Sequence, residues 1–310
     1  MKGSNISLRK KSLLRQILKN WQLYVLILPA LVYIILFAYK PMYGVQIAFR
    51  NYNFKQGILG SQWVGLANFK RLFSSYWFPI ILKNTVTISG LTLILGFPLP
   101  IIFALMVNEL RTEKRKHLIQ TISYAPHFIS TVVMCGMLLL LLNPEYGILN
   151  LIIKFLGGEP KFFTGDAKMF KWVYVYSDIW QQTGWNSIIY FSALAAVDKS
   201  VLEAADIDGA GRLQKILHVN LPIILPTIMI QFILSCGRVM SLGYEKVLLL
   251  QNNANLMGSE VISTYVYKVG LEQFSYSFSA AADLFNSAIN CILLILVNTI
   301  SKKLTKQGLW

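Results

Sequence analysis

Six separated runs of about twenty mostly apolar residues constrain this chain more than any other feature: 24–42, 85–107, 118–142, 172–197, 223–242 and 280–300. A helix rises about 1.5 Å per residue, so roughly 20 such residues cross a hydrocarbon layer about 30 Å thick. Inside that layer every backbone N–H and C=O needs a partner, and a helix satisfies them within its own segment. The expected fold class is all-α: a polytopic membrane protein with six transmembrane helices. The composition agrees. Of the 310 residues, 55% are hydrophobic and 14% charged, against roughly 45–50% and about 25% in soluble domains. The mean hydropathy is +0.52. The fourth run is the most polar.

The net charge of +15 admits two explanations. A nucleic-acid binder needs a solvated basic face, which so apolar a chain does not offer. Membrane proteins concentrate Lys and Arg on cytoplasmic loops. Here the dense clusters are Lys2, Arg9, Lys10, Lys11, Arg15 and Lys19; Arg111, Lys114, Arg115 and Lys116; and Lys302, Lys303 and Lys306. Charges elsewhere are spread thinly, as at Arg50, Lys55, Lys70, Arg71, Lys246 and Lys268. Both termini and the connection 198–221 are therefore expected in the cytoplasm. The first apolar run ends in Lys40-Pro41 without a small-residue cleavage pattern, so it reads as a retained span and not a signal peptide. Residues 1–21 form a basic cytoplasmic arm, 22–79 the first span with an extracytoplasmic loop, and 80–305 one membrane core.

Cys135, Cys236 and Cys291 all lie in apolar runs without a C-x-x-C. They suggest neither disulfides nor metal, and are expected as small buried apolar residues. His117, His127 and His218 are expected at interfaces or in loops, without a catalytic role. Helix breakers recur within the runs: Pro29, Gly96, Pro98, Pro100, Pro126 and Gly184. Backbone groups freed there must be satisfied by neighbours or cavity water, which points to helices packed around a polar pathway.

The connection 198–222 divides into parts. Ser200-Val201-Leu202-Glu203 fits a capping box. A short helix follows to Ile207, with Ala204 and Ala205 as a small-residue face. Gly209-Ala210-Gly211 can turn tightly. A second amphipathic helix presents Leu213, Ile216, Leu217 and Val219, and Pro222 and Pro226 limit the backbone where the fifth run begins. Two roles fit: an ordinary connector in which Glu203 caps a helix, or a surface whose small residues let another protein approach closely.

The spacing carries more. Glu203-Ala204-Ala205, Asp208-Gly209-Ala210 and Leu221-Pro222 together resemble the EAA loop of binding-protein-dependent ABC importer permeases. The likeness continues through Asn84-Thr85, Ala104 to Asn108, Tyr124-Ala125-Pro126 and Ile129-Ser130, as in carbohydrate-type permeases. Leu28-Pro29-Ala30, Tyr39 to Gly44, Ala48-Phe49, Trp63 to Phe69, Gly243-Tyr244-Glu245-Lys246 and the run from Leu248 to Asn252 are similar to permeases for complex oligosaccharides, the polygalacturonan branch. The resemblance implies a type I importer permease fold with cytoplasmic coupling helices. It implies a second homologous permease, two ATP-binding subunits and an extracytoplasmic solute-binding protein as partners. Its implied ATPase-docking set is Glu203, Ala204, Ala205, Asp208, Gly209, Ala210, Leu217 and Pro222. The chain has no G-x-x-x-x-G-K-[ST] phosphate loop. It is therefore expected to hold no cofactor of its own and to be no enzyme, with ATP and magnesium on the partner subunits.

Polar groups inside spans are costly and generally functional or paired. The fourth run holds Asp178, Gln181 and Gln182 beside Trp180 and Trp185, and the fifth leads through Arg238 into Tyr244 and Glu245. Aromatic faces and fixed hydrogen-bonding groups suit a sugar. The similarity to the maltose permease implies substrate contacts in the same regions. These eight residues are the candidate pathway. The alternatives are an Asp178–Arg238 ion pair within the bundle, and helix packing for Trp180, Trp185 and Tyr244. Two other classes fit less well. A secondary transporter often carries inverted repeats, and a membrane enzyme needs a nucleophile or metal constellation. Import of a non-sugar solute by the same architecture remains an alternative.

Overall fold

The proline positions explain the shape of the long helices. The computed structural model describes residues 19–110, 112–306 and 308–310; the expected basic residues Lys2, Arg9, Lys10, Lys11, Arg15 and Arg111 lie outside them. In chain order the principal helices are α1 (Trp21–Phe49), α2 (Ala67–Phe73), α3 (Trp77–Asn108), α4 (Glu113–Phe128), α5 (Thr131–Leu141), α6 (Ile148–Phe155), α7 (Ala167–Ala195), α8 (Lys199–Ile207), α9 (Arg212–Cys236), α10 (Tyr244–Leu250), α11 (Ile262–Tyr267) and α12 (Tyr276–Thr305). Wide π-helical turns occur at Ile35–Tyr39, Thr92–Gly96 and Ile216–Asn220. A proline stands two residues after each of these three, Pro41, Pro98 and Pro222, while a fourth such turn, Lys268–Glu272, has none. Proline has no N–H, and its ring collides with the carbonyl four residues earlier. Those carbonyls belong to Phe37, Ile94 and His218, the middle residues of those three wide turns. Widening the turn relieves the collision, so these helices continue without breaking.

Two expectations change here. Pro222 does not separate a loop helix from the fifth span. The chain runs as one 25-residue helix, α9, from the loop into the bundle. Gly184 breaks nothing either, because α7 passes through it without interruption. A Cβ on Gly184 would lie 1.9 Å from the Ser123 carbonyl oxygen; the glycine permits α7 and α4 to cross in contact. Pro126 does interrupt its span. A 3₁₀ turn, Ala125–Phe128, ends α4, and α5 leaves at 95°.

Among the described residues, α1, α3, α9 and α12 are long and apolar enough to cross a membrane, and the bent α4–α5 pair makes a fifth candidate. At 29 residues, α7 spans roughly 43 Å. Its middle is too polar for the same test. Apolar clusters bracket that middle. Phe170, Tyr174 and Val175 pack with Ile88, Cys135, Val247, Leu250 and Val261 at one end. Tyr190 and Leu194 pack with Ile101, Ala104, Leu105, Ile224 and Ile228 at the other. Cys135 and Cys236 are buried as expected, whereas Cys291 is exposed on α12. No side chain between Trp21 and Ile34 of α1 is buried.

The segment after α1 forms a small cap. β1 (Arg50–Asn51) pairs antiparallel with β2 (Gln62–Trp63). The Asn68 amide donates to the carbonyls of Ala48 and Arg50 at 2.9 and 3.1 Å. Phe49 stacks on Trp63, with ring centroids 5.6 Å apart. The Tyr52 N–H donates to Ser277 Oγ at 2.8 Å, which fastens the cap to α12.

Candidate functional site

In the connection 198–222, no described side chain of α8 is buried. The cap of α8 differs from the expected Ser200–Glu203 box. The Asp198 carboxylate accepts the Ser200 N–H at 2.9 Å, which starts the helix two residues earlier. That backbone bond, with the Ser200 hydroxyl, holds the Asp198 carboxyl below the usual range. Glu203 is therefore left free of capping, and its exposed side chain makes no hydrogen bond or ion pair among the described residues. At the other end, the Ala210 N–H donates to Ala205 O at 2.9 Å and the Gly209 N–H to Asp206 O at 3.1 Å, with Gly209 at φ +76°. This is a Schellman turn, which needs a left-handed residue where glycine is the least strained choice. Gln214 Oε1 accepts the Gly211 N–H at 2.7 Å to start α9, and Lys215 pairs with Asp206 at 2.7 Å to tie the two helices.

The surface so formed is apolar as well as acidic. Ile207 is 86% and Leu213 67% exposed, with Val201 and Leu217 also open. Glu203, Ala204 and Asp208 are exposed, and Ala205 and Ala210 are half-buried. Pro222 lies in the body of α9, behind the wide turn. Just before it, buried Asn220 donates to Glu109 Oε1 at 3.3 Å, which links α9 to the end of α3.

The second feature is a cavity of about 770 Å³ between α3, α7 and α9. Asp178, Gln182 and Asn186 enter it from one face of α7 at fourfold spacing. Gln231, Ser235 and Arg238 line it from α9 and the turn that follows. Of the eight candidates, the cavity gathers Asp178, Gln182, Trp185 and Arg238. Trp180 faces a different, more apolar cleft with Ser123 and Gly184. Gln181 is buried and donates to Ile129 O at 2.9 Å, bracing the broken span against α7. Tyr244 stacks on Tyr267 at 5.2 Å, and Glu245 is exposed outside the lining.

The Asp178–Arg238 ion pair, weighed as the alternative to a pathway role, does not form. Asp178 Oδ1 lies 3.2 Å from Lys246 Nζ. Lys246, 6% exposed, also donates to Tyr174 O at 3.4 Å and sits 4.6 Å from the Tyr174 ring centroid. Two residues missed at the sequence level thus matter: Lys246 as counter-ion and Tyr174 as its cation–π partner. Lys246 belonged to the noted Gly243-Tyr244-Glu245-Lys246 stretch, but nothing local in that stretch names a partner 68 residues away. His127, expected at an interface or in a loop, stacks on Trp185 at 4.1 Å and 5° and meets Gln182 Oε1 through Nδ1 at 2.9 Å.

Removing one member of a buried ion pair costs about 3–5 kcal/mol, because the other charge is stranded. Asp178 retains some access to the cavity, so Lys246→Met is expected near the lower limit. The detergent-solubilised protein should unfold at a clearly lower temperature, and adding Asp178→Asn should restore part of the loss. An unchanged midpoint for Lys246→Met would rule out this role.

Residues 96–306 match the family model described as binding-protein-dependent transport system inner membrane component. The chain is 41% identical over 302 residues to the polygalacturonan/rhamnogalacturonan transport system permease protein YteP of Bacillus subtilis (strain 168), covering 97% of this chain and 94% of that protein. It is 40% identical over 288 residues to protein LplB of the same organism, covering 93% and 91%. Among solved structures, it resembles a chain of a bacterial alginate ABC transporter in complex with an alginate pentasaccharide-bound periplasmic protein. That match has a TM-score of 0.87 and 35% identity, and covers 95% of this chain and 99% of the other.

Proposed function

Because this chain belongs to the family of binding-protein-dependent transport system inner membrane components, we propose that it is the permease subunit through which an oligosaccharide enters a bacterial cell. The observation that carries this reading is the continuity of α9: one helix begins in the exposed turn at Gly211–Arg212 and ends among cavity-lining Gln231 and Ser235. A push on the loop is delivered to the cavity along a single rod. The wide turn at Ile216–Asn220 and the Asn220–Glu109 contact set where that rod pivots. Such a rigid-body switch between two packings is a common transport device.

In this reading α7 crosses the membrane as the central, polar span, and the α4–α5 pair counts as one bent span, making six. Both termini and the 198–222 loop face the cytoplasm. A second permease of the same family completes the pathway, two ATPase subunits seat α8 and its Schellman turn, and an extracytoplasmic binding protein delivers the sugar. ATP and magnesium are held by the ATPases, and this chain contributes no catalytic group. Gln182, Asn186, Gln231 and Ser235 offer the hydrogen bonds a sugar requires, and Trp185 a flat apolar face.

The test is uptake of labelled oligosaccharide into proteoliposomes containing both permeases and the ATPases, with the binding protein outside. Transport should require ATP inside the vesicle and the binding protein. Uptake that persists after ATP depletion, with ion gradients held constant, would make the chain a secondary transporter instead.

A further inference from the structure

Helix α6 is built inside out. Over Ile148–Phe155 the side chains of Ile148, Leu149, Leu151, Ile152 and Phe155 are exposed, as is Leu156 just past its end, and Phe155 is 91% exposed. The polar residue faces the other way. Asn150 is fully buried. Its amide donates to the carbonyls of Asn143 and Lys161, each at 3.0 Å, and its oxygen accepts the Lys161 N–H at 2.8 Å. This clasp closes the loop 143–161 on itself and fixes the apolar side of the helix outward. At 100° per residue the six apolar side chains cover an arc of about 160°, with Lys154 beyond one edge.

The helix is also tied closely to the end of α5. Asn143 Oδ1 accepts the N–H groups of Glu145 and Tyr146 at 2.9 and 3.3 Å, and the Gly147 N–H donates to Asn143 O at 3.0 Å. Up to that turn α5 carries its own exposed apolar side chains, Val133, Met137 and Leu140. At 11 residues it is about 17 Å long, too short to cross the hydrocarbon layer alone, and it meets α4 at 95°. Its depth in the membrane must be set by something beyond its own length.

We propose that α6 lies in the boundary between headgroups and acyl chains of the lipid bilayer, apolar side inward, and anchors that end of the broken α4–α5 span. Its face continues the exposed face of α5, which belongs to a candidate span. A broad apolar stripe with a lysine at its margin is the pattern of a helix lying in the interface, where the lysine reaches the headgroups. In the orientation proposed above this is the extracytoplasmic leaflet. The charges of the loop and the start of α7 balance, Glu145, Glu159 and Asp166 against Lys154, Lys161 and Lys168, so apolar burial supplies the attraction. A binding protein that docks and departs in each cycle would return six apolar side chains to water, and transient interfaces are about as apolar as ordinary surface. Nothing in the proposal depends on the cargo.

The test places a nitroxide label at Ile152→Cys, Phe155→Cys or Glu159→Cys in a Cys291→Ser chain, Cys135 and Cys236 being buried. The complete importer is reconstituted in phosphatidylethanolamine–phosphatidylglycerol vesicles, and ATP-dependent uptake checks that each labelled chain is folded; Leu151→Cys replaces any apolar-face variant that fails. Power-saturation EPR compares collisions with oxygen, which concentrates in lipid, and with a water-soluble nickel chelate. The ratio of oxygen to chelate accessibility should be several-fold higher at positions 152 and 155 than at 159. Equal ratios at the three positions would place α6 in water and overturn the proposal. Shielding of 152 and 155 from both reagents overturns it as well: shielding only with the binding protein present assigns the face to that protein, and shielding without it assigns the face to the second permease.

Discussion

A Gly209→Asp permease is expected to reach the membrane folded, at wild-type levels, and to transport at about 1% of the wild-type rate or less. The two halves of that expectation have separate physical grounds. A Cβ on Gly209 meets no atom within 4 Å, so nothing in the chain is displaced. The φ of +76° costs a non-glycine residue roughly 1–2 kcal/mol, and aspartate is among the residues that tolerate it. The internal cost is therefore small. The turn nevertheless lies in the middle of the proposed docking surface, beside exposed Ile207, Ala204 and Asp208. A new charge in the centre of a closely packed interface costs several kcal/mol, and about 2.7 kcal/mol already amounts to 100-fold. The ATPase should be lost from affinity-purified complexes, and Gly209→Ala should keep most activity. Glu203→Lys is expected to behave as Gly209→Asp does: the acid has no partner among the described residues, and Asp198 caps the helix in its place. Normal transport by either charged variant removes the loop from the docking role.

The second large effect is expected inside the bundle, where Gly184→Ala should sharply reduce the yield of folded protein. The added methyl would sit 1.9 Å from Ser123 O and 2.4 Å from Ser123 C. Backbone atoms cannot turn aside as a flexible side chain can. Helices α4 and α7 would have to separate by more than an ångström, and overpacking of this kind costs about 1–3 kcal/mol or more. The separation would also strain two nearby contacts across the same crossing, Gln181 to Ile129 O and His127 to Gln182. Size-exclusion profiles and the unfolding midpoint in detergent are the measurements. A wild-type midpoint for Gly184→Ala would mean that the crossing is looser than the structure places it. Gly90, whose added Cβ would meet nothing within 4 Å, is the control, and Gly90→Ala should be silent.

These two glycines illustrate how far the sequence could be read. Gly209 was legible because its role is local. A tight turn between two short helices needs positive φ within a few residues of the helix end, and the spacing of Glu203, Gly209 and Pro222 announces it. Gly184 was misread as a breaker because its role is to leave room for a backbone 61 positions away, and sequence spacing holds no record of that. The prolines were misread in part for a related reason. Their local cost was recognised, but the helix can meet it by widening one turn. Pro41, Pro98 and Pro222 take that course, whereas Pro126 ends its helix.

What the sequence determined by itself was the environment and the drive. Runs of twenty apolar residues oblige the backbone to form helices in a membrane, and a motif only twenty residues long marks the surface proposed here to meet an ATPase. The tertiary structure decided the chemistry of the cavity. It gave Asp178 to Lys246 and left Arg238 unpaired in the cavity. It also turned Gln181 and Trp180 away from the space that takes in Gln182 and Trp185. Hydrophobic span length and turn geometry act over a few residues and leave periodic traces. Charge pairing and cavity lining depend on which helices meet, and only the packed bundle specifies that.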